Sequence, residues 1–265
     1  MLTLKRTGDL KPHEETVQEE LDAIIGALRN EPVLRHPIIA DSNSGAVLDG
    51  THRLAALRQL ECLAIPAALI DYQNPLVQVE RWFRIIKGQS LRDFIRGVDG
   101  LSPTPMSVSE AEDSLSARSS YATLRDAREC FAFKSEGSSP LDLCKRAFAL
   151  EQLAKESQAK IALTDNGSMH DLSESTILMS TIRLDKREVV ENCLKHLLFP
   201  PKSTRHLIPS RPLGVAVPIE WLKNTDSAEA EEKFERHLRA MTMRRLSAGS
   251  KVGSRRYMEE VFLFE

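Results

Sequence analysis

An α+β fold of mixed α/β character is what this sequence predicts, and three observations carry the prediction. Apolar runs of strand length alternate with segments of helical periodicity between Leu10 and Asp71. Within that region Ala46-Val47-Leu48 runs directly into Asp49-Gly50-Thr51-His52-Arg53, a strand that turns into a helix at a glycine. The length of 265 residues, with 42% hydrophobic and 28% charged side chains, suffices to bury a core and suits one large domain or two small ones.

A first helix is expected over residues 14–28, where Val17, Leu21, Ile24, Ile25 and Leu28 share one face. Pro12 precedes it and Asn30-Glu31-Pro32 stops it. A strand over 37–40 follows, then the polar turn Asp41-Ser42-Asn43-Ser44-Gly45 and a strand over 46–48. Leu54, Ala55, Ala56, Leu57 and Leu60 give the next segment helical spacing, and residues 65–70 return as a strand. The order helix, strand, strand, helix, strand indicates a small mixed sheet. Residues 99–118, rich in Ser, Pro, Gly and acids and poor in apolar side chains, are expected to form a mobile loop or linker, in a place suited to a lid. Beyond it, strands are expected at 121–124, 130–133, 161–163, 177–179 and 181–183, and helices at 141–158 and 186–198. A charged helix over 229–245 and a closing strand over 260–264 complete the chain. No internal repeat interrupts this order.

The charge balance, 36 Lys plus Arg against 38 Asp plus Glu, gives no general attraction to a polyanion, so nucleic acid is not an expected partner. No apolar run is long enough to cross a bilayer, and Met1-Leu2-Thr3-Leu4-Lys5-Arg6 lacks the apolar core of a secretion signal. Cys62, Cys130, Cys144 and Cys193 are scattered without metal-ligand spacing and read as buried thiols of a cytoplasmic protein.

Three clusters carry candidate chemistry. In the first, Gly50 lets the backbone approach a bound group, the helix amides that follow favour an anion, and His52 and Arg53 add donors for phosphate oxygens. An ordinary helix start with a surface His and Arg has the same composition. In the second, Pro12-His13-Glu14-Glu15, Pro12 presets the turn and Glu14 falls in the first helical turn. Glu14 either stabilises that helix or takes a proton from a substrate hydroxyl. In the third, Pro200-Pro201-Lys202-Ser203-Thr204-Arg205-His206, two prolines keep the loop irregular while hydroxyls, cations and an imidazole follow in succession. That is either a cup for phosphate or carboxylate or a solvated basic loop. Trp82 is a candidate apolar wall beside a small ligand, or a core residue.

Together these pieces resemble the ParB/sulfiredoxin-like fold and, within it, the free serine kinase family. The resemblance runs in order through Lys11-Pro12-His13-Glu14, Arg35-His36-Pro37-Ile38, Asp49-Gly50-Thr51-His52-Arg53, Asp71-Tyr72, Trp82, Thr204-Arg205-His206 and the closing segment 259–265. It is dense over residues 10–83 and 197–222 and thin over 85–183. It implies a ParB/sulfiredoxin-like nucleotide-binding domain over residues 1–85. A second α/β domain over 86–265 would then close a cleft with its substrate loop around 200–207. It further implies phosphoryl transfer from ATP or ADP to the hydroxyl of free L-serine, giving O-phosphoserine, with magnesium or another divalent cation. On that basis Glu14 is the expected catalytic base. Asp49, Gly50, Thr51, His52 and Arg53 are the expected nucleotide-phosphate site, with Asp49 also a metal contact. Trp82, Ser203, Thr204, Arg205 and His206 are the expected amino-acid side, although Ser203 stands where family members vary.

A ParB-like nucleotide-dependent DNA-binding or transcriptional regulator is the main alternative. Its phosphate motif typically reads Gly-Glu-Arg-Arg, whereas this chain has Gly50-Thr51-His52-Arg53, and the basic group Arg244-Arg245, Lys251, Arg255-Arg256 lies among acids. Sulfiredoxin chemistry needs a cysteine where Thr51 stands, and a hydroxyl cannot replace that thiolate. Threonine, homoserine or another small hydroxy acid stays open as acceptor, because one methyl alters binding by only ~1–3 kcal/mol.

Overall fold

The computed structural model describes every residue except 99, 136, 168–174, 224–226 and 254. The chain forms two compact units. One comprises Met1–Gln78, Lys186–Pro201 and His206–Glu265, the other Val79–Asp185 and Lys202–Arg205.

The units do not follow the two consecutive stretches 1–85 and 86–265 expected above. The physical reason lies in the first core, where Leu21, Ile25, Leu54, Leu57 and Ile65 pack with Val215, Val217, Ile219, Leu222 and Phe234. Burying those apolar groups together draws the carboxy-terminal segment back onto the amino-terminal one. Backbone pairing follows, with Val217 opposite Leu34 and the Leu63 amide donating to Leu222.

In the first unit a mixed five-stranded sheet runs in the order Leu2–Arg6, Ala64–Ile70, Ile38–Asp41, Ala46–Asp49 and Lys11–Pro12. Ile38–Asp41 lies parallel to Ala64–Ile70 and antiparallel to Ala46–Asp49, and Lys11–Pro12 lies parallel to Ala46–Asp49. The helices Gln18–Asn30 and Thr51–Gln59 supply Leu21, Ile25, Leu28, Leu54, Ala56 and Leu57 to the core. The edge strand Leu2–Arg6 is capped by Glu231 of the helix Ser227–Ala240, whose carboxylate accepts from the Leu4 amide at 2.8 Å and the Thr3 hydroxyl at 2.7 Å. A smaller three-stranded sheet places Val261–Phe264 between Arg211–Leu213 and Met243–Leu246.

The second unit is built on an antiparallel six-stranded sheet. Its order is Lys160–Thr164, Phe83–Lys87, Thr176–Thr181, Ser120–Arg125, Cys130–Lys134 and Thr104–Pro105. The helices Leu91–Gly97, Val108–Ser116 and Pro140–Glu156 belong to it, and Ile86, Phe94, Leu115, Phe133, Leu150 and Leu178 are among its buried side chains.

Several expected elements shift. The first helix begins at Gln18 and not at Glu14, because residues 11–15 are held extended. Pro12 pairs with Val47, and the Glu15 amide donates to the Phe199 carbonyl at 2.8 Å. The stretch expected as a loop contains the helix Val108–Ser116, started by a reciprocal Ser107–Glu110 capping box and buried through Ala111 and Leu115. Asp99, at its start, lies outside the described residues. The helix expected over 186–198 ends at Leu194, where His196 turns to φ 56° and its amide bonds the Cys193 carbonyl. The expected charged helix ends at Ala240, and Arg244 and Arg245 join the strand Met243–Leu246, where they form ion pairs with Glu265 and Glu260. The strand expected at 177–179 extends over Thr176–Thr181, and of the one expected at 181–183 only Thr181 belongs to it.

No helix among the described residues is long and apolar enough to cross a membrane. The four cysteines are buried as expected, and burial pushes the pKa of the Cys130 and Cys193 thiols up to about 11.

Candidate active site

The strand Ala46–Asp49 is buried through Ala46, Val47 and Leu48, and it delivers Asp49 to the start of the helix Thr51–Gln59. Gly50 makes the turn at φ +98°, in the left-handed region that an L side chain resists. A Cβ there would also lie 2.6 Å from Ile38 Cγ2 and 2.8 Å from Arg53 Nε, so the position excludes a side chain twice over. Arg53 therefore folds back over the glycine, with its guanidinium 3.3 Å from the Asp49 carboxylate. No side chain caps this helix, which leaves its first-turn amides and its positive dipole end to an anion.

A cleft of about 410 Å³ opens at this point within the first unit. Gly50, Thr51 and Arg53 form its polar end, while Ile24, Leu28 and Leu34 contribute apolar wall. His36 also lines it, with Nδ1 accepting from the Gly214 amide at 3.0 Å. Burial, helped by Arg53, lowers the His36 pKa, so a neutral ring with its proton on Nε2 faces physiological pH.

Asp49 is more engaged than its sequence position indicates. Its Oδ2 accepts a charge-assisted hydrogen bond from Arg211, a residue 1% exposed. Burial alone would raise the Asp49 pKa, but the Arg211 and Arg53 guanidiniums outweigh it and hold the carboxyl well below the usual range. Arg211 in turn donates to Glu259 Oε1 at 2.7 Å and to the His206 carbonyl at 3.1 Å.

His206 is buried beside this network, hydrogen-bonded through Nε2 to the Tyr72 hydroxyl at 2.7 Å. Burial, reinforced by the neighbouring His13, lowers its pKa to about 3 against the opposing pull of Glu14. It is a neutral imidazole and supplies no fixed positive charge. His13 meets it edge-on at 5.3 Å between centroids and donates from Nδ1 to the Val47 carbonyl at 2.6 Å. That bond places a proton on Nδ1, and Nε2 lies 3.6 Å from Glu14 Oε1. Glu14 sits in an isolated parallel bridge with Phe199, its side chain 13% exposed. The expected first-turn position is thus corrected, and the helix-stabilising account of this carboxylate falls with it.

His52 lines the cleft and has a second role besides the phosphate contact expected of it. Its Nε2 accepts from the Val17 amide at 2.9 Å, so the imidazole secures the start of the helix Gln18–Asn30, which has no side-chain cap of its own.

The remaining expected residues lie in the second unit. There the Arg205 guanidinium stacks over the Trp82 ring, 4.6 Å from its centroid, and pairs with Asp165 at 2.6 Å. Ser203, Thr204 and Arg205 are all buried, and Lys202 before them takes φ 60°. The first unit thus assembles Glu14, Asp49, Gly50, Thr51, His52, Arg53 and His206, and the second assembles Trp82 with Ser203, Thr204 and Arg205.

No protein-family model matches the chain. A ParB-like protein of Sulfolobus acidocaldarius is 32% identical over 203 residues, which cover 75% of this chain and 86% of that protein. The chain belongs to the ParB-like family. An ATP-dependent L-serine kinase of Staphylothermus marinus is 26% identical over 81% of this chain and 88% of its own length. An ADP-dependent L-serine kinase of Thermococcus kodakarensis is 28% identical over 80% and 89%. Among solved structures, C-terminally truncated SbnI from Staphylococcus aureus has a TM-score of 0.73 at 20% identity, covering 90% of this chain and 95% of that one. A free serine kinase in complex with AMP has a TM-score of 0.71 at 23% identity, covering 83% and 93%. These two share the fold.

In this ParB-like protein the donor set does not fit a resident divalent cation at Asp49. Two guanidiniums already neutralise that carboxylate, and no group of three His, Cys, Asp or Glu among the described residues could hold a metal. Sequence reasoning missed Arg211 and Glu259 as partners of the site. Nothing in the pattern around Arg211 marks a buried guanidinium, since its carboxylates lie far along the chain. The role of His13 was closer to hand, because it precedes Glu14 directly.

Proposed function

We propose that this chain is a phosphotransferase that moves a phosphoryl group from ATP or ADP to the hydroxyl of free L-serine, giving O-phosphoserine. One observation carries the reading. A largely shielded carboxylate, Glu14, lies in the same unit as an uncapped helix start backed by Arg53, on the framework of L-serine kinase relatives.

In the proposed reaction Glu14 accepts the proton of the serine hydroxyl as its oxygen bonds to the terminal phosphorus. The bond from phosphorus to the bridging oxygen breaks, and ADP or AMP leaves. Gly50, Thr51 and Arg53 hold the phosphates through amides and guanidinium. Asp49 keeps Arg53 and Arg211 in place, and His52 holds the helix that faces the cleft. The apolar wall of the 410 Å³ cleft suits the adenine base. Trp82, Ser203, Thr204 and Arg205 are assigned to the amino acid, with Arg205 exchanging Asp165 for the substrate carboxylate. Neutral His206 orients Tyr72 and neighbours the base. Magnesium is assigned to the nucleotide phosphates, which carry it without a protein cage. A reducing cytoplasm is the setting we assign.

The test is an assay of purified protein with ATP or ADP, magnesium and a panel of free hydroxy amino acids, reading O-phosphoserine by mass. Glu14→Gln should fold normally and lose about 10³-fold in turnover. Near-normal phosphoserine production by that variant removes Glu14 from the chemistry.

A further inference from the structure

Arg84 lies on the strand Phe83–Lys87, facing Leu163 on one side and Met179 on the other, and is 4% exposed. A guanidinium keeps its charge when buried, so such a position is tolerated only where its donors are fully used. Its three nitrogens reach three different places. Nε donates to Glu151 Oε2 at 2.9 Å, Nη1 to the Trp82 carbonyl at 2.8 Å, and Nη2 to the Lys202 carbonyl at 3.1 Å. Glu151, on the helix Pro140–Glu156, is buried too and also receives Lys155 at 3.1 Å.

The two carbonyls are the informative partners. Trp82 and Lys202 both lie outside regular structure, and Lys202 takes φ 60°, a conformation that a non-glycine residue holds only against a cost. Each carbonyl anchors one half of the Trp82–Arg205 stack, since Lys202 leads directly into Ser203, Thr204 and Arg205. Arg205 has its own acid in Asp165, so Arg84 and Arg205 sit in separate ion pairs of the second unit. One is spent on backbone, and the other presents a guanidinium on an aromatic face.

We propose that Arg84 is a positioning residue for the acceptor amino acid: its planar fork, held by Glu151, fixes the backbone at Trp82 and Lys202 so that the tryptophan ring and Arg205 stay in register. The assignment of Trp82 and Arg205 to the amino acid rests on the function proposed above. Lysine retains the charge but cannot bond three directions in one plane. Arg84→Lys should therefore let the two segments drift apart while the nucleotide cleft of the first unit stays as it is.

Two readouts test this, one of which does not depend on turnover. Trp82 and Trp221 are the chain's two tryptophans, so in a Trp221→Phe background the emission reports Trp82 alone. Arg84→Lys should shift that emission to the red, and an unchanged spectrum overturns the proposal whatever the enzyme's substrate. In the kinase assay the same variant should raise KM for L-serine tenfold or more, lower kcat less, and leave ADP affinity by calorimetry within twofold. A purely structural arginine would lower the melting temperature without that split, and this outcome also overturns the proposal. Glu151→Gln, which keeps an acceptor for Nε, should move both readouts in the same direction by a smaller amount, and it decides the matter if Arg84→Lys does not fold. Should wild-type protein make no phosphoserine, the functional reading fails by itself and the tryptophan emission still judges Arg84.

Discussion

A methyl group on Gly50 would press into Ile38 and Arg53 while the backbone stayed at φ +98°. Gly50→Ala should cost about 2 kcal/mol in urea unfolding from the left-handed conformation and the contact together, and nucleotide affinity should fall with it. The buried imidazole of His206 makes a different demand. Its folded pKa, about 3, lies below the ordinary value of 6.5, so between those pH values the unfolded chain binds a proton that the folded chain refuses. This contribution to stability is complete above pH 6.5 and is lost as pH falls toward 3. Asp49, whose folded pKa is also depressed, adds stability that is present above the usual carboxylate range and disappears only at still lower pH. Denaturant melts at pH 7, 5.5 and 4.5 should thus show a decline that His206→Asn largely removes, and an equally steep decline in the variant refutes the assignment.

Elements show the same contest between local signal and burial. The helix Val108–Ser116 lies in a stretch whose composition reads as loop, and two features create it. The Ser107–Glu110 box satisfies the first amides, and Ala111 and Leu115, one turn apart, give it a face to bury. Ser107→Ala should cost about 1 kcal/mol by thermal melt. At Gln18–Asn30 the opposite holds. The apolar periodicity extends back toward Val17, yet pairing of Pro12 with Val47 and of Glu15 with Phe199 keeps the preceding residues extended. That backbone choice is what aims Glu14 beside His13 instead of along a helix axis.

For the molecule as a whole, the amino-terminal stretch does not close its core with its own side chains. Val215, Val217, Leu222 and Phe234 are wholly buried and complete the core around Leu54, Leu57 and Ile65. A fragment of residues 1–85 loses those side chains, each worth ~1.5–3 kcal/mol when buried, against a typical domain stability of only about 5–15 kcal/mol. Circular dichroism and proteolysis should find that fragment unfolded, and a cooperative melt from it would contradict the discontinuous first unit.

Local chemistry was legible along the chain. The turn at Gly50 follows from a glycine between a strand and a helix, and the pairing of Thr-Arg-His with an early Glu carries the family resemblance in the sequence itself. The strands Leu2–Arg6 and Phe83–Lys87 were not legible. Their half-exposed or charged residues break the apolar alternation, and Arg84 sits where the pattern asks for an apolar group. Sequence alone determined which residue types could do phosphoryl chemistry and in what order they occur. Only the tertiary structure decided which charges are already spent: Asp49 on Arg53 and Arg211, Arg84 on Glu151, Arg205 on Asp165. Charge pairing and desolvation depend on distance through space, and partners 162 residues apart carry no mark of each other in the chain.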